Sequence, residues 1–408
     1  MKNIVISCPI AAMSGYGCRS RDIVRTLISN DDYDISIIPR TWGDMPLTGL
    51  TAGEDDDILN CIVYEFDSIK KDIDIYIQIS LPSEFINRGK FNIGITAGIE
   101  TTEAPSNWVD GCNKMDLILT SSQHSKDALL NTKNPNSELQ TIVKPIEVLF
   151  EGINPEIYRL IGNNEKTELS KILDSIKEDF CFLHVGNWLP GAIGYDRKDI
   201  GQLINVFVGT FQLLEKSKQP ALLLKVNDSG YSISEKYKLE EKIRQCISLN
   251  SKFKDNIHLA PSVYLLHSEL TDNEINELYN HPKVKAFVSF THGEGYGRPL
   301  LEFTTTGKPV IVSDWSGQRD FLDKNSSILL PGKVDKVPEL GVNEFMLKTS
   351  SWFTVDYQKA GEILLKVYSK YDELYNLTKN HIKITYENFS LFKMGNLLKH
   401  ILNKYTKI

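Results

Sequence analysis

The chain has no apolar run of the ~18–20 residues that a membrane span requires. Its first residues, Met1-Lys-Asn-Ile-Val-Ile-Ser-Cys-Pro-Ile10, lack the longer apolar core and small-residue cleavage site of a signal peptide and read as a strand. A cytoplasmic protein is the expectation. The six cysteines (Cys8, Cys18, Cys61, Cys112, Cys181, Cys246) are dispersed with no CxxC pair, which argues against a disulfide framework or a zinc site. The eight histidines show neither HxH nor HExxH spacing. There is no excess of positive charge: the net of −7 gives no global pull toward nucleic acid or anionic membrane. Repeats and low-complexity tracts are also missing.

What is present is ordinary soluble composition, 41% hydrophobic and 24% charged, over 408 residues, which exceeds one comfortable core and favours two domains. Short apolar runs alternate with amphipathic stretches in both halves, the signature of parallel α/β domains. Strands are expected at Asn3–Cys8, Asp34–Pro39, Ile73–Ile79, Asn92–Thr96, Leu117–Thr120 and Glu147–Leu149, with helices at Arg19–Ile28 and Ser125–Leu130. After a polar crossing over Ile161–Asp179, a second series of strands is expected at Phe180–Val185, Ala221–Lys225, Ile257–Ala260, Lys285–Ser289 and Pro309–Ser313. Its helices are Asp199–Leu214, Ser234–Cys246 and Thr271–Tyr279. The expected organisation is a first domain over 1–160 and a second over 180–386. A C-terminal helix at about 387–408 packs back on the first. Two doubly wound domains would face across a cleft at the carboxyl ends of their sheets.

One segment concentrates chemistry. Thr291-His-Gly-Glu-Gly-Tyr-Gly-Arg-Pro-Leu-Leu-Glu302 joins an apolar strand, Val284–Phe290, to a helix candidate, Pro299–Thr306. Such a strand–glycine turn–helix start aims backbone N–H groups at one point, which suits a phosphate. Proline at the first helical position fits the start. Glu294 and Glu302 could accept hydrogen bonds from hydroxyls beside that phosphate. A diphosphate next to hydroxyls describes a nucleotide-sugar. The spacing is neither that of a GxGxxG loop nor that of a P-loop.

The stretch Gly293-Glu-Gly-Tyr-Gly-Arg-Pro-Leu-Leu-Glu-Phe-Thr-Thr-Thr-Gly-Lys-Pro-Val-Ile311 resembles the Glu-x7-Glu region of retaining GT-B glycosyltransferases, family 4 in particular. Four further pieces fall in the family's order: His184–Trp188 with Asp196–Ile200, Val263–Leu270, Leu119–Lys126 and Leu149–Asn154. The resemblance implies an α/β GT-B fold of two Rossmann-like domains. It implies that Glu294 contacts the donor sugar, that Glu302 binds the ribose, and that Gly295, Tyr296, Gly297 and Arg298 meet the diphosphate, with Pro299 and Leu300 lining the same site. Lys198 and Arg197 match its diphosphate clamp, suited to charge that builds on the leaving group. Tyr264 lies in the piece that resembles the loop meeting the nucleobase. Gly15 and Gly17 follow the first strand and would let the backbone approach the donor phosphate, with Arg19 able to reach the same place.

The chain also departs from the pattern. Asn187 follows Gly186 where an arginine is usual; Phe-Thr-Thr-Thr replaces an alanine-rich helix; Asp320 stands at a smaller glutamate position. Ile95-Thr-Ala-Gly-Ile-Glu-Thr-Thr102 lacks the family's histidine, which leaves Glu100 as the nearest ionisable group. Catalytic candidates are therefore Glu294, Lys198, Arg197 and Glu100, while His184 and His292 read as packing residues. Asp72-Ile-Asp74 and Asp55-Asp-Asp57 mimic a DxD metal motif but read as non-functional, so no metal and no tightly bound cofactor is expected.

The expected activity is metal-independent, retaining hexosyl or pentosyl transfer from a UDP- or GDP-type sugar to a glycan hydroxyl. The alternative is a phage DNA-modifying enzyme acting on hydroxymethylcytosine, because Asn92–Thr102 with Ser106-Asn-Trp108 is similar to glycosyltransferases of large tailed phages. A second alternative is a non-catalytic nucleotide-sugar-binding module.

Overall fold

The computed structural model describes residues 1–406 except 70, 163–166, 189–190 and 229. The last two positions of the expected C-terminal helix and part of the expected polar crossing lie outside the described residues. The chain forms two compact units. One comprises Met1–Gly152, Glu344–Ser350 and the C-terminal stretch beginning at Phe389. The other comprises Ile153–Asn343 and Ser351–Asn388.

In unit 1, β1 (Lys2–Cys8), β2 (Tyr33–Pro39), β3 (Ile75–Ile79), β4 (Phe91–Thr96), β5 (Leu117–Thr120) and β6 (Ile146–Val148) form a parallel sheet in the order β2-β1-β3-β4-β5-β6. Every residue of β3 is buried, as expected of a strand covered on both faces. The helix Gly15–Ile28 starts four residues earlier than its apolar pattern suggests. Ser14 caps it by accepting from the Gly17 N–H at 3.1 Å. Gly15 and Gly17 are therefore its first turn. Gly17 must be glycine, since a Cβ there would come within 1.9 Å of the Ala12 carbonyl oxygen. The C-terminal helix Leu391–Tyr405 buries Met394, Leu398, Ile401 and Leu402 in the same core as Ile4, Ile6, Ile23 and Leu27. Lys404 donates to Glu147 at 2.7 Å.

In unit 2, β7 (Cys181–Asn187), β8 (Ala221–Asn227), β9 (Val263–Leu265), β10 (Val284–Ser289), β11 (Val310–Ser313) and β12 (Ile328–Leu330) form a second parallel sheet, ordered β12-β11-β10-β7-β8-β9. An antiparallel hairpin, β13 (Gly332–Lys336) with β14 (Ser351–Val355), has no counterpart in the expected elements. Ile257–Ala260 is not a strand. Ile257–Leu259 is a 3-10 turn with Leu259 exposed, and the edge strand is β9. Pro261 explains the shift: it has no N–H for a ladder, so pairing with β8 begins beyond it, where the Leu222 N–H donates to the Ser262 carbonyl.

Both sheets change winding direction once, between β1 and β3 in unit 1 and between β7 and β10 in unit 2. Loops leaving the carboxyl ends of those strands diverge, and the gap between them is where open α/β sheets take ligands. All six cysteines are free thiols. No helix among the described residues is long and apolar enough to cross a membrane.

The C-terminal helix is part of the unit 1 core, which fixes the cost of damaging it. Leu398→Ala, at a 1% exposed position, should lower stability by about 2–5 kcal/mol in urea unfolding. Phe392→Ala, 73% exposed on the same helix, should change it by no more than about 0.5 kcal/mol. Equal small losses would show that the helix does not belong to the core.

Candidate functional site

At the winding change of unit 2, the β7 and β10 loops meet. The β10 loop carries Thr291–Gly297 and leads into the helix Arg298–Thr304, with Pro299 as its second residue rather than its first. Gly297 takes φ +98, a left-handed conformation that glycine adopts without penalty. Gly317, from the turn after β11, packs so closely that a Cβ would lie 2.2 Å from the Gly295 carbonyl oxygen. Its N–H donates to the Glu294 carbonyl at 3.0 Å, and the Glu294 N–H donates to Ser316 Oγ at 2.9 Å. The glycine turn is thus held from behind by the turn after β11.

The β7 loop delivers two cations to this turn. Arg197 donates to the Gly293 carbonyl at 3.0 Å and to Glu294 Oε2 at 3.2 Å. Lys198 Nζ donates to Glu294 Oε1 at 2.6 Å. The loop backbone is tied down as well, since the His292 N–H donates to the Arg197 carbonyl at 2.8 Å. Glu294 is only 8% exposed. Burial alone would raise its pKa, but Lys198 and then Arg197 outweigh burial and hold the carboxyl down at about 2.

Two buried aspartates flank the cations. Asp196 Oδ1 accepts from the Asp199 N–H at 3.0 Å. Asp199, in a left-handed conformation at φ +52, accepts from the Tyr357 hydroxyl at 2.6 Å. Burial pushes Asp196 up to about 6 and Asp199 up to about 8.

Glu302 lies one helical turn beyond Arg298 and is 5% exposed. Arg298 Nε donates to its Oε1 at 2.8 Å and the Tyr279 hydroxyl to its Oε2 at 3.3 Å. Burial outweighs Arg298 here, and the carboxyl is raised to about 7. The two glutamates of one motif are thus driven in opposite directions, Glu294 by two cations and Glu302 by desolvation against one.

The remaining unit 2 candidates are placed as follows. Tyr296 is buried against Phe321, with ring centroids 5.0 Å apart, and Leu300 is buried in the helix. Tyr264 sits on edge strand β9, its hydroxyl donating to Glu178 at 2.9 Å. His292 is stacked on Trp352 at 4.0 Å and hydrogen-bonds the Phe353 carbonyl at 2.6 Å. His184 hydrogen-bonds the Val288 carbonyl at 2.9 Å. Asn187, where an arginine is usual, is paired in register with Asn227. Asp320 ends the 3-10 turn Gly317–Asp320.

In unit 1 the carboxyl edge of the sheet has its own cluster. The Tyr16 hydroxyl lies 2.9 Å from Thr96 Oγ1 and accepts from the Ala97 N–H at 3.0 Å. Burial, with smaller contributions from Glu100 and Glu151, raises the Tyr16 pKa to about 12. Glu100 is half-buried on this loop. Arg19 is buried and donates to the Leu149 carbonyl, and to the Phe150 carbonyl at 3.0 Å, so its guanidinium holds the β6 exit.

Two residues here escaped the sequence reading. Glu151 is buried and accepts from Ser121 Oγ at 3.1 Å. His124 hydrogen-bonds the backbone around Ile99–Thr101, and burial lowers it to about 4. A histidine is therefore beside Glu100 after all, supplied by the helix Gln123–Asn131 instead of the β4 end. Asp72 and Asp74 pair with Lys90, and Asp55 and Asp57 with Arg25. Among the described residues no group of three or more His, Cys, Asp or Glu is placed to hold a metal ion.

No family model matches the chain, and no curated protein matches it. Solved structures do. A sucrose-phosphate synthase from Thermosynechococcus elongatus superposes with TM-score 0.65 at 12% identity, covering 99% of each chain. A glycosyltransferase from Rickettsia africae gives 0.66 at 16% identity, covering 100% of this chain and 99% of that one. HepE from Anabaena, in complex with UDP and glucose, gives 0.60 at 12% identity over 99% and 100%. Likeness at this identity establishes the fold: the chain has the α/β GT-B fold, with two Rossmann-like domains.

The opposed shifts give a direct check. Glu302's folded value of about 7 exceeds the ordinary 4.5. Its ionisation therefore costs stability progressively as pH rises above 4.5, and the cost is complete above about 7. Glu294's folded value of about 2 lies below 4.5, so its pairing contributes stability above pH 4.5 that is lost as pH falls through 2. Carboxyl carbon NMR of the apoprotein should show Glu302 titrating near neutrality and Glu294 still ionised at about pH 3. Both titrating between about pH 4 and 5 would contradict the described environments.

Proposed function

We propose that the chain is a retaining glycosyltransferase that moves a hexosyl or pentosyl group from a nucleoside diphosphate sugar to an acceptor hydroxyl, most simply on a glycan. The observation that carries the reading is Glu294 held by Lys198 and Arg197 at the winding change of a GT-B unit, in the glycine turn that leads into the helix bearing the Arg298–Glu302 pair. UDP is the favoured nucleotide, because the HepE structures contain UDP and UDP-glucose. The Glu-x7-Glu resemblance supports Glu302 as ribose ligand and Glu294 as sugar ligand, with Gly295 to Leu300 against the diphosphate.

In this mechanism Lys198 and Arg197 turn part of their charge from Glu294 to the diphosphate. The helix Arg298–Thr304 has only seven residues, so these side-chain cations carry most of the electrostatic work. They are aligned before the reaction and lower the barrier because negative charge grows on the departing phosphate oxygen. The bond from the anomeric carbon to that oxygen breaks as the acceptor oxygen bonds to the same face. The acceptor proton passes to the leaving phosphate oxygen, so no separate base is required. Neutralisation by two cations makes the transfer independent of metal. In unit 1, Gly15, exposed at the helix start, would bring the backbone to the donor phosphate, with Gly17 buried against Ala12 and its N–H given to Ser14. Glu100, with His124 beside it, would face the acceptor hydroxyl.

A thermal-stabilisation screen of UDP- and GDP-sugars should identify the donor through ligand linkage. With that donor, Lys198→Ala should lower kcat by about 10²–10³. Glu302→Ala should raise the donor KM by roughly tenfold or more, as expected for losing a charged hydrogen bond. The product should keep the donor's anomeric configuration, read by NMR coupling constants. Full transfer in both variants at saturating and limiting donor, or an inverted product, would overturn the assignment.

A further inference from the structure

Donor chemistry leaves one built feature of unit 1 unused. Beyond β2, the Arg40 N–H donates to the Cys8 carbonyl at 2.9 Å, which holds the chain at the carboxyl edge of the sheet. Two residues on, the Trp42 indole lies flat over Tyr16, with ring centroids 3.9 Å apart and 23° between planes. Tyr16 cannot swing away, because its hydroxyl is tied to Thr96 and Ala97. The following loop is pinned to the β1 exit by the Met13 N–H to the Pro46 carbonyl at 2.8 Å and the Gly49 N–H to the Ala11 carbonyl at 2.9 Å. The indole is thus a mounted, part-exposed ring.

Trp42 lines an open cavity of about 350 Å³ with Arg40, Thr41, Gly43, Leu81 and Glu84. That volume falls within the roughly 300–1,000 Å³ of small-molecule sites. Across it, Arg40 donates to Glu84 Oε2 at 2.6 Å, and both side chains are partly exposed. A tryptophan that served only to cover Tyr16 would need neither the cavity nor the ion pair on its rim.

We propose that Trp42 is the stacking platform of an acceptor-sugar subsite that takes a pyranose ring, with Arg40 and Glu84 reading its hydroxyls. An indole face is electron-rich and attracts the C–H-lined face of a sugar. The hydroxyls of such a ring point outward, where a guanidinium donates and a carboxylate accepts. Nucleic acid fits less well: Glu84 and the exposed Asp44 would stand against backbone phosphates, and the chain is net negative. As an acceptor subsite the platform rests on the glycosyl-transfer reading; as a sugar site it does not.

Saturation-transfer NMR on the full chain, with methyl pyranosides of glucose, galactose, mannose and N-acetylglucosamine, reads binding without a donor. A short duplex containing 5-hydroxymethylcytosine is the competing probe. At least one pyranoside should receive saturation, strongest on the C–H protons of one ring face. Its affinity should fall about tenfold in Trp42→Ala and no more than about threefold in Trp42→Phe, which keeps an aromatic face. If Trp42→Ala loses its circular dichroism, Arg40→Ala and Glu84→Gln on the rim carry the same expected tenfold loss. Pyranoside binding indifferent to these changes, no pyranoside binding in a chain that UDP-sugars stabilise, or preference for the duplex would each overturn the platform. Trp42-dependent pyranoside binding in a chain that no nucleotide-sugar stabilises would sustain the sugar site and sink the glycosyl-transfer reading instead.

Discussion

A carboxylate removed from water must be compensated, and Glu294 is compensated twice. Its oxygens are divided between Lys198 at 2.6 Å and Arg197 at 3.2 Å. Removing one partner of a buried ion pair costs about 3–5 kcal/mol, because the survivor is left uncompensated. That penalty binds two loops far apart in sequence into one arrangement. The glycine turn must hold Glu294 in place, which requires Gly317 and Ser316 behind it. The β7 loop must present two cations at once, which requires Asp199 in a strained left-handed conformation, itself held by Tyr357. The same arrangement makes a site that can exchange partners. Cations already desolvated beside one anion can meet another without first reorganising water.

Parallel winding gives this cluster its location. The sheet order places the exits of β7 and β10 side by side although about a hundred residues separate them. Unit 1 has the same winding but a different electrostatic use of its carboxyl edge. Arg19, its buried cation, is spent on the carbonyls of Leu149 and Phe150. What its edge presents is aromatic and hydroxyl chemistry: Tyr16, Trp42, Thr96, and the carboxylates Glu100 and Glu151. With Arg19 turned inward, that edge carries hydroxyl, aromatic and carboxylate groups, whereas the unit 2 edge carries the cations Lys198 and Arg197. Side chains at the strand exits, not the shared architecture, make that difference.

Much of this was legible in the linear chain where physics is local. Buried parallel strands are continuous apolar runs, so β1, β3, β5, β7, β8 and β10 stand out, and their ends fall within a few residues of those expected. The glycine spacing of 293–297 announces a turn, and Arg197 and Lys198 announce a charged loop. Failures came where the deciding contact was distant. Ile257–Ala260 has strand-like composition, but Pro261 moves pairing to Val263–Leu265. The short β12 and the β13–β14 hairpin carry too few alternating residues to be seen. His124 cannot be seen beside Glu100 from the β4 exit alone. The imidazole arrives from a helix more than twenty positions later.

The sequence by itself determined the α/β class, the two-part organisation of strand series and the identities of the paired glutamates and cations. The first two follow from hydrophobic periodicity, the glutamates from the residue chemistry of one glycine turn, and the two cations from the resemblance to the family's pattern. Tertiary structure decided how those groups are partnered. Glu294 and Glu302 belong to one motif and read alike on paper, but one meets two cations and falls to about 2 while the other meets burial and rises to about 7. Nothing in the linear chain marks Trp42, and it is the fold that lays its indole over Tyr16. The reason is the same in each case: desolvation and pairing depend on neighbours brought by the fold, and no spacing along the chain encodes them.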